Sequence, residues 1–158
     1  MTFTATAIIL RRRDIGEWDR LYTMYTREHG KLVVIGKGTR RAKAKLAAHL
    51  EPFTEADLVI ARGRTIDRIT FARTIRAHAT ALRTYDDVQV ASFLVECVEQ
   101  LTEPQHRDAA LFELLQTAVA LVAQHAHAEI ITPFLLRCLS ILGYAPHLDR
   151  CAECRANL

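Results

Sequence analysis

Residues 27–45 read REHGKLVVIGKGTRRAKAK, and how this stretch folds decides what surrounds it. Its first part predicts a strand exit at Thr26–Arg27, a tight turn at Glu28-His29-Gly30 and a second strand over Lys31–Lys37. Gly30 takes the positive φ that such a turn requires. Its second part is a glycine-flanked loop carrying Lys37, Arg40, Arg41, Lys43 and Lys45, with no acidic residue between Lys31 and Glu51. Small residues (Gly36, Gly38, Ala42, Ala44) let the backbone of a polyanion come close to it.

Outward from this hairpin the pattern stays β-like. Residues 4–13, TATAIILRRR, are β-branched and apolar and then basic, which predicts a strand. Gly16 breaks it as a turn residue, and strand character resumes over Trp18–Thr26, where Leu21, Thr23 and Tyr25 alternate with Tyr22 and Met24. After the basic loop, Lys45–Leu50 has room for one helical turn, which Pro52 stops. Phe53–Ala61 sets Ala56, Leu58 and Ile60 against Glu55, Asp57 and Val59. Arg62-Gly63-Arg64 turns the chain into Thr65–Ile75, with Ile69, Phe71 and Ile75 expected on one face. Five strands with a helical insert between the third and fourth follow the order of an OB-fold. Periodicity alone leaves an SH3-like barrel open as well.

From about Asp86 the apolar period changes from 2 to 3.6. Val88, Ala91, Leu94, Val95, Val98 and Leu101 predict one helix, ended by Glu103-Pro104. Leu111, Leu114, Leu115, Ala118, Leu121 and Val122 predict a second. Thr132 as N-cap and Pro133 as first helical residue open a third, through Leu135, Leu136, Leu139 and Leu142 to Gly143 at C′. The expected fold is α+β by segregation: residues 1–80 a five-stranded OB-fold barrel, residues 81–158 an all-α domain docked on it.

The charge divides along the same line. Residues 1–80 carry 16 Lys/Arg against 8 Asp/Glu, and residues 81–158 carry 5 against 10, within a net charge of +3. The basic half suits a nucleic acid and the acidic half repels one. No apolar run reaches a membrane span, and the charges of the N-terminal segment follow its apolar run, the reverse of a secretory signal. The expectation is a cytoplasmic protein without disulfides: Cys97 and Cys138 fall in helical patterns, and Cys151 and Cys154 form one CxxC.

No nucleophile–base set is visible, and Gly36-Lys37-Gly38 is too short for a nucleotide fingerprint, so no enzyme is expected. His125-Ala126-His127 reads as a solvated helix end. Lys and Arg neutralise backbone phosphates by charge density, without a fixed spacing. The loop cations are therefore the leading candidates for nucleic-acid contact, with Arg11–Arg13 and Arg62, Arg64, Arg68 and Arg73 on the same half. Trp18, Tyr22 and Tyr25 either stack bases or fill the barrel. Cys151 and Cys154 have the spacing of half a zinc site, His147 being the nearest third ligand.

Four blocks in order, TAIILRRRDIGEWDRLYTMYTREHGKL, GKGTRRAKAKLAAHLEPF, ARGRTIDRIT and LLRCLSILGYAPHLDRCAEC, resemble the bacterial recombination and repair family RecO, from about Thr4 to Cys154. The resemblance implies an OB-fold followed by a helical domain in a non-enzymatic mediator at the nucleoid. Such a mediator binds single- and double-stranded DNA, anneals complementary strands and assists RecA loading on strands coated by single-strand-binding protein (SSB). It implies RecR and, in many bacteria, RecF as partners, and a helical domain that receives the SSB tail. By position the DNA-facing candidates are Lys37, Arg40, Arg41, Lys43 and Lys45, then Arg11, Arg12 and Arg13. Many members hold Zn²⁺ with four cysteines, whose first pair corresponds to Cys151 and Cys154. Two departures stand out: the chain stops before a second cysteine pair, and Arg155 occupies a position where glycine is common. The expectation is a short form or fragment with half a zinc site. A protein-interaction module with little DNA binding, and an RNA-binding barrel, stay open beside the mediator reading.

Overall fold

The computed structural model describes residues 1–124, 128–146, 150, 151, 153, 154 and 156; the His125–His127 cluster, His147 and Arg155 lie outside them. Five strands come first: β1 (Thr2–Ile15), β2 (Asp19–Thr26), β3 (Gly30–Gly36), β4 (Thr54–Ala61) and β5 (Arg68–Ala77). Helices α1 (Tyr85–Leu101), α2 (Ala109–Val122) and α3 (Ile131–Ile141) follow. The strands close into a barrel in the order β1-β2-β3-β5-β4 and back to β1. Every pairing is antiparallel except β3–β5, which meet in parallel at Ile35 and Arg68. This is OB-fold topology, with a short 3₁₀ turn at Ala47–His49 in the predicted place between β3 and β4.

Strand β1 is buried on both sides. Ala5, Ala7 and Ile9 point into the barrel with Tyr22, Met24, Val34, Leu58 and Ile60. Ile8 and Leu10, with Tyr25 of β2, belong to a second core shared with Leu94 and Val98 of α1, Phe112 and Leu115 of α2, and Phe134 of α3. That is why TATAIIL reads as nearly continuous apolar sequence rather than a clean alternation. Burial of an aliphatic side chain contributes roughly 1.5–3 kcal/mol, so β1 alone ties two cores together strongly. Tyr22 and Tyr25 are both core residues, which leaves Trp18 as the exposed member of the aromatic trio.

Several expected faces differ, each for a local reason. Phe71 and Ile75 are 53% and 43% exposed, while Ile69 and Ala72 face inward. The register slips between Val59 and Ile60, so that Val59 pairs with Phe71 and Ile60 with Ile69. One extra residue inverts the alternation beyond it. The strand itself begins at Arg68 rather than Thr65. Glu55, expected outside, is only 3% exposed because Gln116 of α2 covers it and donates to its carboxylate at 2.7 Å. In α1 the buried stripe runs through Val90, Ala91, Leu94, Val95 and Val98, leaving Val88 and Leu101 exposed. Leu121 and Leu136 are exposed too, and Phe112, Val119, Phe134 and Cys138 take the buried positions of α2 and α3. Thr132 does not cap α3: a 3₁₀ turn at Ala128–Ile130 leads straight into it, and Pro133 sits in the first turn, where a backbone N–H has no helical partner anyway. The end of α3 is as expected: Gly143 N–H donates to Ser140 O and Tyr144 N–H to Leu139 O.

Beside this shared core, polar contacts join barrel and helices around Gly30 and Lys31. Lys31 Nζ donates to the carbonyls of Glu99, at 2.6 Å, and Thr102 at the C-terminus of α1, which carries no basic residue in its own last turn. Gln105 N–H donates to Lys31 O at 2.9 Å. Gly30, at φ +66°, lies so close to the 106–107 backbone that a Cβ there would stand 2.1 Å from His106 O. Arg27 covers the Phe112 ring at 4.8 Å.

Gly30→Ala meets both a positive φ and a backbone clash, and should cost roughly 3 kcal/mol in denaturant unfolding. Gly16→Ala, at φ +59° with nothing within 4 Å, should cost only about 1 kcal/mol. The Tyr25 phenol, buried and near the Asp108 carboxylate, is pushed up to about 12. Its unfolded counterpart ionises near 10, so stability is intact below pH ~10 and falls toward pH 12, by about 2 kcal/mol. Alkaline unfolding curves of Tyr25→Phe should lack that component.

Candidate nucleic-acid interface

The basic loop leaves β3 at Gly36 and is pinned to the β1–β2 turn. Thr39, buried, donates through Oγ1 to Gly36 O at 2.9 Å. Gly38 N–H donates to Asp19 Oδ1 at 2.7 Å, and Arg40 N–H to Trp18 O at 3.0 Å. The Arg40 guanidinium donates to Gly16 O at 2.9 Å and pairs with Asp14 Oδ2 at 3.3 Å. Asp14 also accepts from Arg20 at 3.0 Å; Arg20 first and Arg40 second hold its carboxyl below the usual carboxylate range. At the far end, Leu50 is fully buried in the barrel and Leu46 packs against it.

This anchoring divides the predicted cations. Arg40 is spent on the fold. Lys37, Lys43 and Lys45 are exposed and make no ion pair among the described residues. Arg41 lies over the Trp18 ring, 5.6 Å from its centroid. Trp18 is 47% exposed.

The other predicted cations do not gather into one patch. Arg11 and Arg13 line a surface hollow with Leu21, Thr23 and Val33, and Arg11 stands 3.6 Å from Glu99 of α1. Arg12 pairs with Glu51. Arg13 is exposed and unpaired among the described residues. On the β4–β5 side, Arg62 pairs with Asp67 at 3.0 Å and Arg73 with Asp57 at 2.7 Å, while Arg64 and Arg68 are exposed. Loop 37–45 therefore gathers three unpaired lysines, while Arg13, Arg64 and Arg68 are unpaired one by one elsewhere on the barrel, among the described residues.

Sequence reasoning missed the carboxylates Asp14 and Asp19 as the loop's anchors. Their signal was present: DIGEWD places acids on both sides of a glycine turn, and GKGTRR offers the matching donors. It also missed a groove of about 390 Å³ between α2 and α3. Leu114, Ala118, Leu121, Ile130, Pro133 and Phe134 line it, with Arg137 and Glu129 on its edge.

The CxxC closes on itself. Cys151 N–H donates to Ala156 O at 2.8 Å, and the Cys151 thiol accepts from the backbone N–H groups of Cys154 and Glu153, which hold it below the ordinary thiol range. A thiol poised to ionise suits a metal ligand. Tetrahedral zinc needs four donors, however, and no group of three or more His, Cys, Asp or Glu comes together among the described residues. Cys151 and Cys154 could offer two of those four donors. All four cysteines are free thiols. Among the described residues no helix is long and apolar enough to cross a membrane.

Comparison with known proteins agrees with this architecture. The family model described as "Recombination protein O N terminal" matches residues 1–78, and that described as "Recombination protein O C terminal" matches residues 82–158. The DNA repair protein RecO of Nocardioides sp. is 36% identical over 158 residues, covering 98% of this chain and 65% of its own length. That of Bifidobacterium animalis subsp. lactis is 36% identical over 152 residues, covering 94% and 64%. That of Pelotomaculum thermopropionicum is 31% identical over 156 residues, covering 99% and 61%. The chain thus spans somewhat less than two thirds of these relatives, and it belongs to the RecO family.

The split between anchoring and free cations is testable by stability alone. The Lys37/Lys43/Lys45→Ala variant should keep the wild-type melting temperature within about 2 °C, since unpaired exposed charges contribute little. Arg40→Ala should lose about 1 kcal/mol in denaturant titration, from the bond to Gly16 O and the Asp14 pair.

Proposed function

We propose that this RecO-family chain works in DNA repair as a non-enzymatic recombination mediator, binding single- and double-stranded DNA through the loop after β3. The observation that carries this reading is the set of exposed, unpaired cations Lys37, Lys43 and Lys45, with Arg41, on a loop whose backbone is pinned at both ends. A pinned loop loses little entropy on binding, so its charges act on phosphates from a prepared position. Backbone contact of this kind ignores sequence. It can hold two strands close while their bases pair, the physical requirement of strand annealing. Assistance to RecA on SSB-coated DNA, and contact with RecR and RecF, extend the reading to the whole-length family.

The α2–α3 groove favours a second, compatible reading, in which the helical half holds the SSB tail and protein contacts dominate. An apolar floor with Arg137 on its edge fits an acidic-hydrophobic peptide end.

Binding of a fluorescent single strand should weaken steeply with salt. Replacing Lys37, Arg41, Lys43 and Lys45 by Ala should flatten the log–log slope by up to about 3, at roughly 0.7 per phosphate contact. An unchanged slope would move DNA to another face. A labelled SSB-tail peptide should bind wild type and lose affinity in Arg137→Glu, while DNA affinity stays put. Peptide binding with no DNA binding by the folded chain would leave the interaction-module reading standing alone.

A further inference from the structure

We propose that Trp18, with Arg41 against its ring, is a base-stacking site that makes the loop surface prefer single strands to duplex. This rests on the DNA-binding reading and adds the class of substrate that the site favours. Trp18 is the chain's single tryptophan. It stands at the β1–β2 turn, 47% exposed, although burying an indole would be strongly favourable. Its backbone carbonyl accepts Arg40 N–H, so the residue is fastened to the basic loop itself. The Arg41 guanidinium over its ring brings a second flat, cationic surface.

The surroundings fit a nucleic-acid strand. Residues 13–20 and 36–46 together carry seven Lys/Arg and three carboxylates. Two of those carboxylates are engaged, Asp14 by Arg20 and Arg40, and Asp19 by Gly38 N–H. Glu17 is the exposed acid beside Trp18 with no partner among the described residues. The other strongly exposed aromatics lie elsewhere. Phe71 borders a groove with Glu28 and the Asp57–Arg73 ion pair, and Tyr85 and Tyr144 belong to the acidic half. Trp18 is fastened to the loop that bears the unpaired lysines and has the Arg41 guanidinium against its ring. A single strand can lay an unstacked base on an indole, whereas duplex bases are already stacked on one another and reach the surface only through their backbone.

The test uses Trp18 as its own reporter. Oligo(dT) titrated into the intact chain at low salt should quench the tryptophan emission in step with the anisotropy of a labelled strand. Trp18→Ala should weaken single-strand binding by about 5- to 100-fold and duplex binding less than twofold. Trp18→Phe, which keeps a ring, should recover most of the loss, and it keeps the comparison valid should the alanine variant fold poorly. Glu17→Gln should tighten both substrates to a similar, smaller degree. Emission that stays unchanged while anisotropy reaches saturation would overturn the inference and leave the lysine-loop reading intact. Equal losses on single strand and duplex in Trp18→Ala would overturn it as well. No DNA binding by the folded wild-type chain would remove both readings.

Discussion

The corner at Gly30 and Lys31 is the constraint on which the arrangement of barrel and helices depends. Gly30 has no side chain because the 106–107 backbone occupies the space where one would stand. Lys31 then sends its ammonium to the last carbonyls of α1. A helix that ends without its own cation leaves carbonyls and a partial negative charge to be satisfied. Here a strand supplies that cation from the neighbouring module. Both conditions fall on consecutive residues, so the entry into β3 sets where α1 ends and where the link to α2 begins.

β3 carries this consequence to its other end. Its seven residues place the basic loop roughly 20 Å from the corner, at about 3.3 Å per residue. The helical half, acidic in sequence, docks beside Gly30 and on the outer face of β1 and β2. The loop's cations emerge at the opposite end. The charge asymmetry of the chain thus becomes a spatial one, which under the proposed DNA-binding reading would keep a polyanion at the basic end clear of the acidic helices. Ion pairs cross between the two territories at Arg11–Glu99, 3.6 Å, and at Arg27–Glu113, 3.7 Å.

The strands, the turn at Gly30, the 3₁₀ insert and the three helices were legible in sequence because period and punctuation are local properties. What was not legible depends on neighbours that are distant in the chain. The bulge that turns Phe71 outward lies in the pairing of β5 with β4, and the bare alternation of RITFARTI holds no trace of it. Glu55 reads as a solvent residue until Gln116, 61 positions later, covers it. In α1 a stripe through Val88 and Leu101 fits a helical period about as well as one through Val90, Leu94 and Val98. The shape of the β1–β2 face chose between them. Thr132-Pro133 has the composition of a helix start, yet the preceding 3₁₀ turn was already in place to begin α3.

The basic loop shows the same limit in its chemistry. In sequence Lys37, Arg40, Arg41, Lys43 and Lys45 are equivalent, since charge density carries no assignment of partners. Folding distinguishes them through two carboxylates about twenty residues earlier. Asp19 takes a backbone N–H and so fixes the loop's path. Asp14 takes Arg40, whose planar fork reaches Gly16 O at the same time, a task poorly suited to the point charge of lysine. The arginine at 40 is therefore consumed in holding the loop, and Lys37, Lys43 and Lys45 are left exposed and unpaired among the described residues. Under the proposed reading, a loop that stays positioned while gripping an irregular polyanion would use both kinds of cation. Its arginines sit where geometry is fixed, Arg40 on protein and Arg41 on an aromatic ring, and its lysines extend into solvent.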